Sequence, residues 1–350
     1  MDKKKIKKII VTGGMGFIGS AVIRAALDQG FKVLNIDSIT YASCEETLRD
    51  VENNNNYIFK KVDIRNHEKV SKLFDEFSPN YIMHLAAESH VDNSINSPID
   101  FIQTNILGTY YLLDVAHKYW VKNEEFHNFR FHHISTDEVY GSLDKEGLFN
   151  EQSSYKPNSP YSATKASSDH LVRAWNKTYG LPTLITNCSN NYGPFQFPEK
   201  LIPLIIINAI NQKKLPIYGN GENIRDWLYV EDHANALLEV LQYGRIGSSY
   251  NIGGSNELSN IDIVTAICRI LDKLLPIESK YEKLITFVDD RPGHDKRYAI
   301  NPEKIKKELN WSPKTSIDDG LEKTVKWYLD NKKWWEPLIE RKKSFSSLGK

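Results

Sequence analysis

The stretch Thr12-Gly13-Gly14-Met15-Gly16-Phe17-Ile18-Gly19 decides how the rest of the chain is read. A β-rich run, Lys7–Thr12, stands ahead of it, and a segment of helical period, Ile18–Gln29, follows. In that setting each glycine of the triplet 13, 16 and 19 has a task. Gly13 permits the tight turn out of the strand. Gly16 lets backbone N–H groups approach a pyrophosphate, and Gly19 lets the helix pack close to the sheet with its N-terminus facing the anion.

Working outward, short β-rich runs alternate with helical segments as far as about residue 184, the pattern of repeated βαβ units around a parallel sheet. The predicted strands are Lys7–Thr12, Lys32–Asp37, Tyr57–Lys61, Tyr81–Leu85, Phe129–Ser135 and Thr183–Cys188. Predicted helices include Ile18–Gln29, His67–Phe77, Phe101–Trp120 and Tyr161–Tyr179. The class is α/β, with a doubly wound Rossmann-type sheet. After Asn187, Pro194, Pro198, Pro203 and Pro216 break the chain into short elements. A smaller mixed α/β domain over the carboxyl edge of the sheet is expected there, and crevices of that kind hold ligands. The expected division gives 1–187, rejoined by about 227–260, to the dinucleotide domain, and 188–226 with 261–340 to the second domain. Residues 341–350 lack periodicity and are expected to fray.

Composition excludes several classes of function. Of 350 residues, 40% are hydrophobic and 26% charged, the balance of a globular enzyme. Lys+Arg and Asp+Glu are both 45, so the basic surplus of a nucleic-acid binder is missing and an anionic ligand must be met by a local site. Cys44, Cys188 and Cys268 lie far apart with no Cys-x-x-Cys pair, which argues against disulfides and structural zinc and for a cytoplasmic location. The oily stretch Leu201–Ile210 contains Pro203 and is half the ~20 residues that a bilayer requires, so no membrane span is expected. The basic start, Met1 to Lys8, lacks the apolar run of a signal peptide and reads as a solvated lead into the first strand.

Asp37 ends the second strand 18 residues after Gly19, where a carboxylate accepts hydrogen bonds from adenosine ribose hydroxyls. A 2′-phosphate would meet it as a like charge, which selects NAD over NADP. Asp63, at the end of the third strand, reads either as an adenine contact or as a solvated turn residue. Tyr161 and Lys165 stand four apart on one helix face. A lysine there is expected to lower the phenol's pKa, so that a tyrosinate removes a hydroxyl proton while the lysine holds the nicotinamide ribose. Thr136, Asp137 and Glu138 lie at a strand's carboxyl end, the end that faces ligands. Two adjacent carboxylates serve as acid and base if their environments separate their pKa values. His132 and His133 point to opposite faces of their strand and read as packing residues. No group has trustworthy metal-ligand spacing, so no metal is expected.

These residues resemble the extended short-chain dehydrogenase/reductase superfamily, and more narrowly the dTDP-glucose 4,6-dehydratases. The resemblance runs through Thr12–Ser20, Asn35–Ala42, His84–Asp92, Ser135–Gly141, Pro157–Lys165 and Thr186–Pro194, then through Asn223–His233, Asp290–Asp295 and Val325–Asp330. It implies that Tyr161 deprotonates the sugar 4-hydroxyl while C4 gives a hydride to a tightly held NAD that is regenerated each cycle. Glu138 would take the C5 proton, Asp137 would protonate the departing 6-hydroxyl, and Thr136 would hydrogen-bond the 4-oxygen. The hydride returns to C6, giving a 4-keto-6-deoxy sugar nucleotide for deoxysugar biosynthesis such as the rhamnose pathway.

The same resemblance implies that Gly13, Gly16, Phe17, Ile18, Gly19, Asp37, Ser38, Thr40, Asp63, Ile64, Leu85, Ala86, Ala87, Thr104 and Asn191, with Tyr161 and Lys165, bind NAD. For the nucleotide sugar it implies Ser89, Thr136, Asn190, Lys200, Leu201, Pro216, Tyr218, Arg225, Asn260, Arg291, His294 and Tyr298. The chain departs from the family at Gln103, where an acidic residue is frequent. A homodimer through the helices Phe101–Trp120 and Tyr161–Tyr179 is expected, since each carries apolar residues on more than one face.

A sister 4-epimerase or UDP-sugar decarboxylase would share the glycine loop and the Tyr161/Lys165 pair without needing adjacent carboxylates. A non-catalytic NAD-sensing regulator would keep the glycines alone. Asp137-Glu138 therefore discriminates. The nucleobase stays open between thymine and uracil, because a single methyl is worth only ~1–3 kcal/mol.

Overall fold

The computed structural model describes residues 6–123, 128–290 and 294–347. Its strands are β1 (Lys8–Thr12), β2 (Lys32–Asp37), β3 (Tyr57–Lys61), β4 (Tyr81–His84), β5 (Arg130–Thr136), β6 (Thr183–Cys188), β7 (Asn190–Tyr192), β8 (Leu215–Tyr218), β9 (Ile224–Tyr229), β10 (Ser249–Ile252), β11 (Glu257–Ser259) and β12 (Ile285–Val288). Seven of them form a sheet in the order β10-β6-β5-β4-β1-β2-β3, parallel throughout. The chain winds outward from β1 to β3, then resumes at β4 on the other side. The order therefore reverses between β1 and β4, and their carboxyl ends open the crevice where such sheets bind ligands.

Alternation along β1 sorts the two faces. Ile9 and Val11 enter the core that holds Val22, Ile23 and Ala26 of the first helix, whereas Ile10 joins Leu34, Ile82 and Phe131 on the opposite side. Because both faces are covered, the strands are nearly continuous apolar runs. The helix Val230–Tyr243 and β10 belong to this layer. So do Ile305 and Trp311, which the sequence reading assigned to the second domain; the helix Glu303–Leu309 packs against β10.

A second apolar core gathers the helices Leu201–Ile210, Asn260–Leu274 and Ile317–Asp330 with Trp227, Trp334, Trp335 and Leu338. Cys44, from the loop after β2, is buried in this core, and Trp334 Nε1 donates to Thr47 Oγ1 at 3.1 Å across 287 residues. The loop that leaves the large sheet is thus anchored by the smaller lobe.

Two elements differ from the sequence reading. The helix expected over Phe101–Trp120 runs through Pro98–Phe101, a π-wound stretch Ile102–Gly108, and Thr109–Lys122. The Asn105 carbonyl there accepts from both Thr109 Oγ1 and Ser168 Oγ at 2.6 Å, side-chain donors that compete with regular winding. Instead of fraying from Arg341, the last helix, Lys332–Ser347, continues through Ser347.

Candidate active site

The glycine loop has the geometry its sequence demands. Gly13 sits at φ +74, and a Cβ on it would stand 2.7 Å from the Ala86 nitrogen. A Cβ on Gly19 would stand 2.2 Å from the Gly13 carbonyl oxygen, so the helix can pack here only without a side chain. Gly16 caps the helix Phe17–Asp28 with no side-chain bond, which leaves the first-turn N–H groups for an anion. Asp37 is 5% exposed and accepts from Met15 N at 2.9 Å, Ile39 N at 2.8 Å and Ser43 Oγ at 3.2 Å. Burial outweighs these bonds and raises its pKa above the ordinary value. Asp63 grips Arg65 at 2.7 Å; burial opposes its ionisation, but the bonds and charge of Arg65 prevail and hold the carboxyl below its ordinary pKa.

These residues line one cavity of about 540 Å³ that runs from Asp37 past Leu85, Ala86 and Ala87 to Thr136, Asp137, Glu138, Tyr161 and Lys165. Gly13, Gly16, Phe17, Ile18, Gly19, Ser38, Thr40, Asp63, Ile64, Thr104 and Asn191 belong to its walls, as do Ser89, Asn190 and Lys200. In the wall, buried Asn190 Oδ1, Asn191 Oδ1 and Gln196 Oε1 have no hydrogen-bond partner among the described residues. Unmet polar atoms around a glycine cradle suit a polar dinucleotide and its substrate.

The chemistry is concentrated where β5 ends. Thr136 caps the short turn Asp137–Tyr140, accepting from Glu138 N at 3.3 Å. Asp137 is 2% exposed, and burial, then Glu138, then Asp226 push its pKa well above the ordinary value. Its Oδ2 has no hydrogen-bond partner among the described residues. Burial in a low-dielectric site thus favours its protonated form.

Tyr161 lies in the first turn of the helix Pro160–Tyr179, whose start is fixed by a Ser159/Ser162 capping box and Pro160. Its phenol is bonded to Thr136, yet burial and then Glu138 push its pKa well above 10.0. The expectation that Lys165 lowers it is corrected: Lys165 is 4% exposed and donates to the Ile134 carbonyl at 2.8 Å, with its own pKa lowered by burial. Burial sets the direction of the phenol's shift.

Among the described residues, the other predicted substrate residues are not part of the cavity wall. Arg225 Nη2 donates to the Asp295 carbonyl at 3.0 Å, and its guanidinium covers the Tyr298 ring at 4.3 Å. Arg225 acts electrostatically on Asp137, and Glu138 on Tyr298, so this pair faces the two carboxylates from the smaller lobe. His294 Nδ1 is 2.6 Å from Asp290 Oδ1, edge-on to Tyr218. Asn260 opens the helix Asn260–Leu274, Leu201 opens Leu201–Ile210, and Pro216 lies in β8. Arg291 lies outside the described residues. Sequence reasoning passed over Ser43, Arg65, Glu88, Cys188 and Glu199 in the cavity wall. Glu88 and Cys188 lie within the resembling stretches His84–Asp92 and Thr186–Pro194, and Ser43 adjoins Asn35–Ala42, but none of these residue types announces a role there. His133 was read as packing, yet its Nε2 stands 3.3 Å from Asp169 Oδ1.

A family model described as GDP-mannose 4,6 dehydratase matches residues 10–324. The chain belongs to this dehydratase family. Within it, the chain is 56% identical to a dTDP-glucose 4,6-dehydratase of Escherichia coli over 98% of its own length and 99% of the relative's. The fold is similar to the crystal structure of a Bacillus anthracis dTDP-glucose 4,6-dehydratase in complex with NAD: TM-score 0.85, 44% identity, 95% and 99% of the two chains covered. It is similar too to the Streptomyces venezuelae dTDP-glucose 4,6-dehydratase crystallised with NAD and TYD bound, with TM-score 0.86, 42% identity and coverage of 95% and 99%. Among the described residues of this dehydratase-family chain, no helix is long and apolar enough to cross a membrane, and no group of three or more His, Cys, Asp or Glu side chains is placed to hold a metal ion.

Proposed function

We propose that the chain is an NAD-dependent nucleotide-sugar 4,6-dehydratase, a hydro-lyase that converts dTDP-glucose to dTDP-4-keto-6-deoxyglucose. The observation that carries this reading is the adjacent pair Asp137-Glu138 beside Tyr161, with Asp137 buried and its pKa pushed upward by that burial. Epimerisation and decarboxylation have no use for such a pair. Identity of 56% to the Escherichia coli dTDP-glucose 4,6-dehydratase supports the same conclusion.

When bound, NAD accepts a hydride from C4, returns it to C6, and offsets the cost of a tyrosinate with its cationic ring. As the tyrosinate that such a complex would favour, Tyr161 takes the 4-hydroxyl proton through Oη, and Thr136 Oγ1 holds the same oxygen. Oxidation at C4 makes the C5 proton acidic, and Glu138 removes it. Asp137, whose burial favours the protonated form, gives a proton to the departing 6-hydroxyl. Gly13, Gly16 and Gly19 cradle the cofactor's pyrophosphate, Asp37 its adenosine ribose and Lys165 its nicotinamide ribose. Asn190, Lys200, Leu201, Arg225, Asn260 and His294 hold the nucleotide diphosphate and base, as the family motifs suggest.

Incubation with dTDP-glucose and UDP-glucose in parallel, followed by the alkaline absorbance of the keto product, tests the assignment. The dTDP sugar is expected to react faster, and no reaction with either overturns the reading. Glu138→Gln should abolish product while NAD stays bound; normal turnover by this variant would exclude the dehydratase mechanism.

A homodimer fits the same reading. Ile99, Ile102, Leu107 and Val121, all exposed along 98–122, present an apolar face that sedimentation of the purified protein would show to be paired or not. Three unpaired buried cysteines suit the reducing cytoplasm.

A further inference from the structure

We propose that Asp169 is a positioning residue for this reaction: its buried carboxylate is the counter-charge that keeps Lys165 an ammonium, and it braces the strand ends that present Thr136, Asp137 and Glu138. Tyr161, Lys165 and Asp169 recur at intervals of four along the helix Pro160–Tyr179, so the catalytic face extends one turn further than the Tyr-x-x-x-Lys motif.

Lys165 needs such a partner. The Ile134 carbonyl takes one of its donors but none of its charge. An ammonium buried without compensation sheds its proton. The titratable groups around it are neutral in the main: His84 from β4 and His133 from β5 are held well below the ordinary histidine range by burial, and burial pushes the Cys188 thiol of β6 up to about 12. Tyr161 is a neutral phenol on the same helix. One turn further along the same helix face stands the carboxylate of Asp169, itself 2% exposed, whose charge favours the ammonium.

Asp169 Oδ2 accepts from Ser135 Oγ and Tyr155 Oη, each at 2.8 Å, and from Asn187 Nδ2 at 3.3 Å. Asn187 Nδ2 also donates to the Thr136 carbonyl at 3.2 Å. One carboxylate thereby joins the ends of β5 and β6 at the step where β5 delivers its catalytic turn. The hydroxyls of Ser135 and Tyr155 can rotate, so a neutral amide at 169 would satisfy them equally. What an amide cannot supply is the charge, and the charge is what Lys165 requires.

Two arms test the proposal. The first rests on the dehydratase reading: in Asp169→Asn the alkaline limb of the kcat profile should move at least one pH unit lower, because Lys165 loses its proton more readily, while Asp169→Glu should keep a profile near wild type. An unchanged profile in a folded, NAD-retaining Asp169→Asn protein overturns the proposal. The second arm needs no substrate and so stands whether or not the dehydratase reading does. Asp169→Asn should lower the melting temperature, and the double variant Lys165→Met/Asp169→Asn, neutral again, should melt higher than Asp169→Asn alone. Additive losses in the two single variants, or a double variant that fails to fold alongside Asp169→Asn, would reject the charge pairing.

Discussion

Asp37 Oδ2 accepts a hydrogen bond from the Met15 backbone N–H at 2.9 Å, so the residue expected to hold ribose also tethers the glycine loop. Its other oxygen is engaged by Ile39 N and Ser43 Oγ. Asp37→Asn leaves one oxygen for these donors and turns an amide N–H toward another, at a cost of about 1–3 kcal/mol for a buried unmet donor. NAD affinity is expected to fall about ten- to hundredfold, with no matching gain for NADP, because the loop itself loses its anchor. Calorimetric titration of the cofactor-free protein would measure this; wild-type affinity in the variant would show that the tether carries nothing.

Gly19→Ala places a methyl 2.2 Å from the Gly13 carbonyl oxygen and 2.8 Å from Gly14 Cα, both backbone atoms that cannot swing aside. The helix Phe17–Asp28 must back away from the turn, costing about 1–3 kcal/mol or more. Cofactor retention should suffer further than stability, since the displaced N-terminus is the proposed anion site. Urea unfolding with and without added NAD separates the effects, and equal midpoints for variant and wild type under both conditions would refute the argument.

His132 in β5 and His233 in the helix Val230–Tyr243 are both fully buried, and burial lowers both to about 3. Neither ring nitrogen of His233 has a hydrogen-bond partner among the described residues. A depressed folded-state pKa means that the unfolded chain binds more protons between about 3 and the unfolded value of 6.5. Stability from each group is therefore intact above 6.5 and is lost as pH falls through that window, by about 1.4 kcal/mol per unit. Asp169, raised to about 6, contributes in the opposite sense between 3.8 and that value. His233→Leu isolates one imidazole: urea midpoints measured from pH 7 to pH 4 should fall less steeply than in wild type. A slope unchanged by the substitution would mean that His233 is charged or solvated in the fold.

The large sheet was legible because its signals are local. Apolar runs such as Ile9-Ile10-Val11 announce strands covered on both faces, and the glycine triplet needs only its flanking elements to be understood. Tyr161 with Lys165 could be found by spacing, and Asp137-Glu138 by adjacency. Asp169 could not, since a mid-helix aspartate ordinarily faces water and nothing in Ser167-Ser168-Asp169-His170 says that this one is buried. The π-wound stretch was invisible for a related reason: Phe101 to Gly108 keeps helical periodicity either way, and the winding depends on Ser168, 63 residues from Asn105. The direction of the Tyr161 shift also required coordinates, because burial sets it and spacing does not encode burial.

The bond between Thr47 and Trp334 also has a timetable. During synthesis the glycine loop and Asp37 leave the ribosome well before the wedge behind Cys44–Leu48, which lies 287 residues after Thr47. At about 5–20 residues per second, the 287 residues between the partners take on the order of half a minute to translate. A nascent chain halted before residue 334 would carry every residue of the dinucleotide motif and still lack the support that fixes its adenosine side.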